Sequence, residues 1–266
     1  MSLQFRPDRA HSGRIHDFLL DGKDHYLIDR IAGRALEQET GEFRLVVRTA
    51  RQFLIRAVGC LAAEYGVRQF VELGSGYPCS PNVHDAAQAV DPDIRTLYVD
   101  NDPVVAAHGR ALLANSRTHI VHADLTHTDT IVDAIAEFMN PGQPQAICLG
   151  FVCEFLAEPA AVTKALTSSL PAGSYLVLSH ITADPGSDIA KRAAVVYGEF
   201  GIEFRPRTRG EVGDLLAGTD LLEPGLVPPH RWRPGSEPDQ CRAQRPEWAP
   251  ERADKTFCYA AVGRIG

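Results

Sequence analysis

The sequence predicts a doubly wound α/β fold on a seven-stranded, mostly parallel sheet, and three observations carry that expectation. Short apolar runs and helix-like segments alternate from residue 67 to residue 180, a glycine-rich turn follows the first run, and two apolar runs close the chain. Strand and helix alternating at this spacing read as right-handed crossover units, which put helices on both faces of a parallel sheet.

Each element follows from its own residues. Residues 67–73 (VRQFVEL) form a run rich in β-formers, followed by GSGYP and the helical PNVHDAAQAV. Residues 96–102 (TLYVDND), 118–125 (THIVHADL), 145–156 (QAICLGFVCEFL) and 173–180 (GSYLVLSH) supply four more strands; a helical segment follows each of the first three. After residue 200 the pattern changes to one short amphipathic helix, Gly218, and a turn at Pro224-Gly225. Residues 225–232 (GLVPPHRW) and 256–265 (TFCYAAVGRI) read as two final strands, which predicts an antiparallel C-terminal edge. The segment between them, residues 233–252, has four prolines and reads as a surface loop. Ahead of the sheet, residues 34–40 and 43–66 show apolar positions at helical spacing. Residues 1–66 are therefore expected as a helical extension and residues 67–266 as the sheet domain, together one structural unit. Residues 8–28 are expected to form a lid over the carboxyl ends of the strands. Residues 43–65 read equally as a lid or as a helix packed on the sheet.

A chain of 266 residues suits one large domain. Its net charge of -7 and pI near 5.8 argue against nucleic acid, whose binders carry a basic face. No run of about 18 apolar residues exists to cross a membrane. The N-terminal MSLQFRPDRAHSGR lacks the apolar core of a secretory signal. The six cysteines form no CxxC pair, so buried reduced thiols and a cytoplasmic setting are expected. His108, His119 and His230 lack ligand spacing, and no metal site is expected.

The chemistry is concentrated at strand ends. In Glu72-Leu73-Gly74-Ser75-Gly76 the two glycines allow close backbone approach to a ligand, and the next helix aims its N-terminal amides at the same place. A dinucleotide fingerprint would need a third glycine where Cys79 stands, so a nucleoside ligand without a pyrophosphate fits better. Some 25 residues on, Asp100 ends the second run with Asn101 beside it, placed to accept two ribose hydroxyls. Asp102 before Pro103 reads as a helix cap. Asp124 and Leu125 end the third run, where a carboxylate and an amide read an adenine edge. A plain strand-to-helix turn is the alternative for the glycines, and capping the alternative for Asp100. The three in order are more specific than any one.

With these motifs in place, the chain resembles an actinobacterial family of S-adenosylmethionine-dependent methyltransferases, formerly filed as a domain of unknown function (methyltransferase family 19). The resemblance rests on Ala10 through Tyr26 (AHSGRIHDFLLDGKDHY), Gln69 through His84, Tyr98 through Pro103, Gly173 through His180, Glu223 through Val227 and Trp232-Arg233-Pro234. It implies a Rossmann-like class I methyltransferase fold and S-adenosylmethionine as cofactor, and says little about the acceptor. The chain departs from the family at Tyr77-Pro78-Cys79 and Val152-Cys153-Glu154-Phe155, where a change of substrate or a loss of activity would show.

The segment from His16 to Tyr26 is polar and broken by Gly22. It is expected to close over the methionine end of the cofactor, with Arg14 or Lys23 pairing the carboxylate and Tyr26 nearby. A solvated turn between two helices is the plain alternative. Phe151, within the fourth run, is expected in the cofactor pocket. His180 and Glu154 are the candidate catalytic residues, as groups able to move a proton at strand ends; hydrogen-bonded structural roles are the alternative. A side chain at Gly74 is expected to fill the methionine space, and removing residues 1–28 to leave the sheet folded. The expected reaction is in-line methyl transfer to an O, N or C nucleophile of a small molecule, with no membrane partner and a homodimer as the candidate assembly. Non-catalytic cofactor binding, for sensing or as a structural ligand, is the other reading; an NAD(P)-dependent oxidoreductase is disfavoured by the missing glycine.

Overall fold

The computed structural model describes residues 6–184, 188–235 and 257–266. Most of the expected loop at 233–252, and Cys241 with it, lies outside the described residues. The apolar runs become β1 (Gln69–Leu73), β2 (Arg95–Asp100), β3 (Thr118–His122), β4 (Ala146–Gly150) and β5 (Tyr175–Ile181). Two further strands follow, β6 (Thr219–Leu221) and β7 (Cys258–Ile265). The sheet order is β3-β2-β1-β4-β5-β7-β6, with β1 to β5 parallel and β7 antiparallel to both its neighbours. Every residue of β1 and β5 is buried, which is why these strands are covered on both faces.

The end of the chain differs from the expectation in two respects. The sixth strand is Thr219–Leu221, not GLVPPHRW. In the latter, Pro228 and Pro229 have no N–H to give a ladder, so only Val227 bridges Ala260, and Pro229–Arg231 form a 3-10 turn. The antiparallel strand β7 lies one place in from the edge, which the three-residue β6 occupies. The fourth run is also shorter than its apolar stretch. It stops at Gly150, Phe151 takes a φ of 56°, and Cys153–Phe155 form a 3-10 turn.

Three apolar clusters hold the layers. On one face, Phe53 to Ala62 of α3 (Phe43–Glu64) pack with α4 (Val83–Gln88) and α5 (Pro103–Leu112). On the other lie α6 (Thr128–Phe138), α7 (Pro159–Ser168) and α9 (Arg209–Asp214). The third cluster caps the carboxyl ends of β4 and β5. It joins α1 (Ser12–Leu19), α2 (Leu27–Thr40), the first half of α3 and α8 (Asp188–Glu199), a helix that the sequence pattern did not single out. The division at residue 66 is therefore not a packing boundary, since half of α3 belongs to the sheet layer. Among the described residues, no helix is long and apolar enough to cross a membrane, and Cys60, Cys79, Cys148, Cys153 and Cys258 are free thiols.

Candidate functional site

The site is built where β1 and β2 end. The N–H groups of Gly74 and Ser75 both donate to the carbonyl of Val99, at 2.8 and 3.1 Å, stitching the loop to the neighbouring strand. Gly74 has a φ of 67°, and a Cβ placed there would lie 2.4 Å from Cγ2 of Val152. Both facts demand glycine. They also correct the sequence reading: a side chain at Gly74 collides with Val152 rather than simply occupying ligand space.

Asp100 is buried and accepts the Gly76 N–H at 2.8 Å on one oxygen and the Asp102 N–H at 2.9 Å on the other. Burial raises its pKa, against the pull of nearby His11 and of those two N–H groups. Asp102 caps α5 as expected, accepting the Val104 N–H at 2.9 Å with Pro103 in the first turn. Asp124 closes a local turn through one oxygen, Oδ1, which accepts the N–H and hydroxyl of Thr126.

Two adjoining cavities open on this loop. The first, about 70 Å³, is lined by Glu72, Gly74, Ser75 and Gly76 together with Asp17, Arg51 and Tyr77. The second, about 180 Å³, is lined by Asp100, Asn101, Asp124, Leu125, Phe151 and Phe155 among others. Gly13, His16, Gly74 and Phe151 line both. The first turn of α1 forms the roof: a Cβ on Gly13 would sit 3.6 Å from the Gly76 Cα. His11 fastens this end. Its Nδ1 accepts the Gly13 N–H at 3.3 Å, and Nε2 lies 3.2 Å from Asn101 Oδ1. Nine of the expected cofactor residues, Glu72, Gly74, Ser75, Gly76, Asp100, Asn101, Asp124, Leu125 and Phe151, thus come together.

The three expected from the N-terminal segment do not line either cavity. Arg14 is buried with Nε 3.0 Å from Asp102 Oδ2 and Nη1 3.8 Å from Asp29, close ion pairs without in-line hydrogen-bond geometry. Its guanidinium lies over the Tyr26 ring, whose backbone N–H donates to Asp29. Lys23 is exposed. The buried Asp17 instead gathers this turn, accepting the N–H groups of Asp24 and His25 and facing His25 Nδ1 at 2.8 Å.

The cation on the first cavity is Arg51, from the middle of α3. Its Nη1 donates to Glu72 Oε1 at 2.7 Å and its Nη2 to the carbonyl of Pro81 at 3.1 Å, while Nε is buried with no protein partner. Sequence reasoning missed it because it sits in an apolar helical stretch. The available signal was Glu72, a carboxylate in a buried strand that had to find a cation. Burial raises the Glu72 pKa, and the Arg51 charge opposes that rise.

His180 and Glu154 are brought close, but under the site rather than in it. His180 Nδ1 is 2.7 Å from the Ile181 carbonyl and Nε2 is 3.1 Å from Arg207 Nη1. A carbonyl can only accept and a guanidinium can only donate, so both ring nitrogens are occupied and the ring is neutral. Burial lowers its pKa to about 4. Glu154 accepts the Ile181 N–H at 2.7 Å, its second oxygen is buried without a partner, and burial raises its pKa to about 8. Neither lines the two cavities. Their placement corrects the expectation of catalytic groups to a structural reading: His180 is buried at the end of β5, Glu154 lies in the turn Cys153–Phe155, and Arg207 ties that turn to His180.

A family model described as S-adenosyl methyltransferase matches residues 2–266. Among solved structures, the chain is similar to a DUF574 family protein from Streptomyces avermitilis MA-4680, with 35% identity, coverage of 98% of this chain and 100% of that one, and a TM-score of 0.88. It is also similar to a candidate methyltransferase from Thermobifida fusca YX, with 31% identity, coverage of 97% and 95%, and a TM-score of 0.86. No curated protein matches the chain.

Proposed function

Since the chain belongs to the S-adenosyl methyltransferase family, we propose that it transfers the methyl group of S-adenosylmethionine to an O, N or C nucleophile of a small molecule. The residues present fit this cofactor. Gly74 and Gly76 form a cradle that a side chain would spoil, and the buried, unpartnered Nε of Arg51 lies beside it. Arg51 would hold the amino-acid carboxylate, Asp100 the ribose hydroxyls, and Asp124 with Leu125 the adenine. The cofactor supplies an electrophilic methyl group on a cationic sulfur. The protein's part is to align donor and acceptor and to exclude water, a task that would fall to the roof of α1 and the wall of Phe151.

The observation that carries this reading is the convergence of Gly74, Asp100 and Asp124, from three neighbouring strand ends, on adjoining cavities under one helix. A helix lying over small cavities favours a small acceptor over a polymer, and a net charge of -7 disfavours nucleic acid. The free thiols fit a reducing, cytoplasmic setting. The test is calorimetry with S-adenosylmethionine and its demethylated product. It is followed by incubation of the methyl-labelled cofactor with separate small-molecule, protein and RNA fractions. Label is expected in the small-molecule fraction. Absence of binding, or label only in macromolecules, overturns the proposal.

A further inference from the structure

We infer that His16 takes the proton from the methyl acceptor, and that the acceptor atom is therefore a hydroxyl oxygen or a proton-bearing nitrogen; the inference rests on the methyltransferase reading above. The placement comes from the two cavities. In S-adenosylmethionine the methyl-bearing sulfur joins the methionine part to the ribose. The first cavity offers Arg51 and the glycine loop to the methionine part, and the second offers Asp100 to the ribose. The sulfur then belongs at the wall the cavities share, formed by Gly13, His16, Gly74 and Phe151. Of these four, His16 alone has a titratable side chain.

The ring is held but not used up. Its Nε2 lies 3.3 Å from the Tyr197 hydroxyl, and it meets the edges of Phe151 and Phe155 at centroid distances of 5.1 and 5.8 Å. Among the described residues Nδ1 has no hydrogen-bond partner. This is the reverse of His180, where both nitrogens are engaged by groups of fixed polarity. With the hydrogen on Nε2 donated to Tyr197, the lone pair of Nδ1 is free to accept.

The charges around the ring favour that role. Burial, reinforced by His11, lowers the His16 pKa to about 4, and burial pushes the Tyr197 phenol up so that it stays protonated. Other charged or titratable groups on the cavity walls include Arg51, Glu72 and Asp17 on one side and His11, Asp100 and Asp124 on the other. A neutral ring tolerates a sulfonium neighbour where an imidazolium would repel it. In the step itself, the acceptor's lone pair forms the bond to the methyl carbon. The methyl–sulfur bond breaks with its electron pair left on sulfur, and the acceptor's proton passes to Nδ1. The reacting groups carry one positive charge before and after, moved from sulfur to His16, so the departure of the sulfonium charge is what makes room for the proton.

The test is nitrogen-15 NMR of histidine-labelled protein, with His16 assigned by ring-to-backbone correlation. In the free protein at neutral pH, Nδ1 is expected to be the unprotonated nitrogen; a hydrogen on Nδ1 overturns the inference. The ring is then titrated in complexes with S-adenosylmethionine and with the demethylated product, within the pH range where each stays folded. The midpoint is expected to lie more than about one pH unit higher in the product complex, the scale set by a unit charge a few ångströms away at protein-like dielectric. Titration at the same pH in both complexes, or in neither, overturns the role of His16 and leaves the methyltransferase reading standing. Failure of both ligands to bind overturns the two together.

Discussion

In the proposed complex Asp100 and Arg51 would hold opposite ends of one ligand, and single substitutions separate them. Asp100 holds the Gly76 and Asp102 N–H groups in the protein, and its oxygens have lone pairs left for hydroxyls. Asp100→Ala is expected to weaken S-adenosylmethionine binding about ten- to hundredfold, as loss of charge-assisted hydrogen bonds worth about 1.5–3 kcal/mol implies. Calorimetry with wild-type affinity would reduce Asp100 to a cap of the loop. Arg51→Lys keeps a cation beside Glu72 but removes Nε and the planar fork. It is expected to cost S-adenosylmethionine roughly tenfold in affinity while leaving 5′-methylthioadenosine, which lacks the amino-acid end, unaffected. Equal losses for both ligands would place Arg51 in the support of the loop instead. Asp100 could be chosen from its place after an apolar strand. Arg51 could not, because the distance from mid-helix to the end of β1 exists only in the folded chain.

The helix α1 is part roof and part core. Ile15 and Leu19 are fully buried with Leu36, Phe43 and Tyr197, while Gly13 and His16 on the same helix face the cavities. This alters the expectation for the N-terminal segment, because removing residues 1–28 would open the third apolar cluster as well as the site. A large fall in melting temperature is expected from the truncation, with Ile15→Ala alone costing about 2–5 kcal/mol. The lid function is better tested without truncation. Hydrogen exchange with and without S-adenosylmethionine is expected to slow across residues 11–20, where α1 touches the glycine loop, and hardly at all in α2. Protection that avoids α1 would leave it a packing helix. That α1 lies over the strand ends was legible from the sequence, which put a helical segment there. Its anchoring through His11 to Asn101 and through Asp17 to the turn at residues 24–25 was not, since those contacts join places that only folding makes adjacent.

For the molecule as a whole, buried titratable groups bound the pH range of stability. Burial raises Glu154 from 4.5 to about 8, so its contribution is complete below pH 4.5 and is lost as pH rises through 8. Burial lowers His180 and His16 from 6.5 to about 4; their contribution is complete above pH 6.5 and is lost as pH falls through 4. Glu154→Gln keeps an acceptor for the Ile181 N–H and removes the charge. Its melting temperature relative to wild type is expected to rise between pH 5 and pH 8, the wild type losing about 1.4 kcal/mol per pH unit in the steepest part of that window. A difference independent of pH would mean that Glu154 ionises without strain. The two residues chosen from sequence as catalytic lie outside both cavities, while the inferred proton acceptor lies on a helix far away in the chain. By itself the sequence determined the parallel sheet, the glycine turn and the order of the strand-end carboxylates, because crossover periodicity and turn chemistry are local properties. The tertiary structure alone decided which cation faces the cavity, which histidine has a free nitrogen and where the sixth strand pairs. Those depend on which side chains burial brings together and which partners they find there.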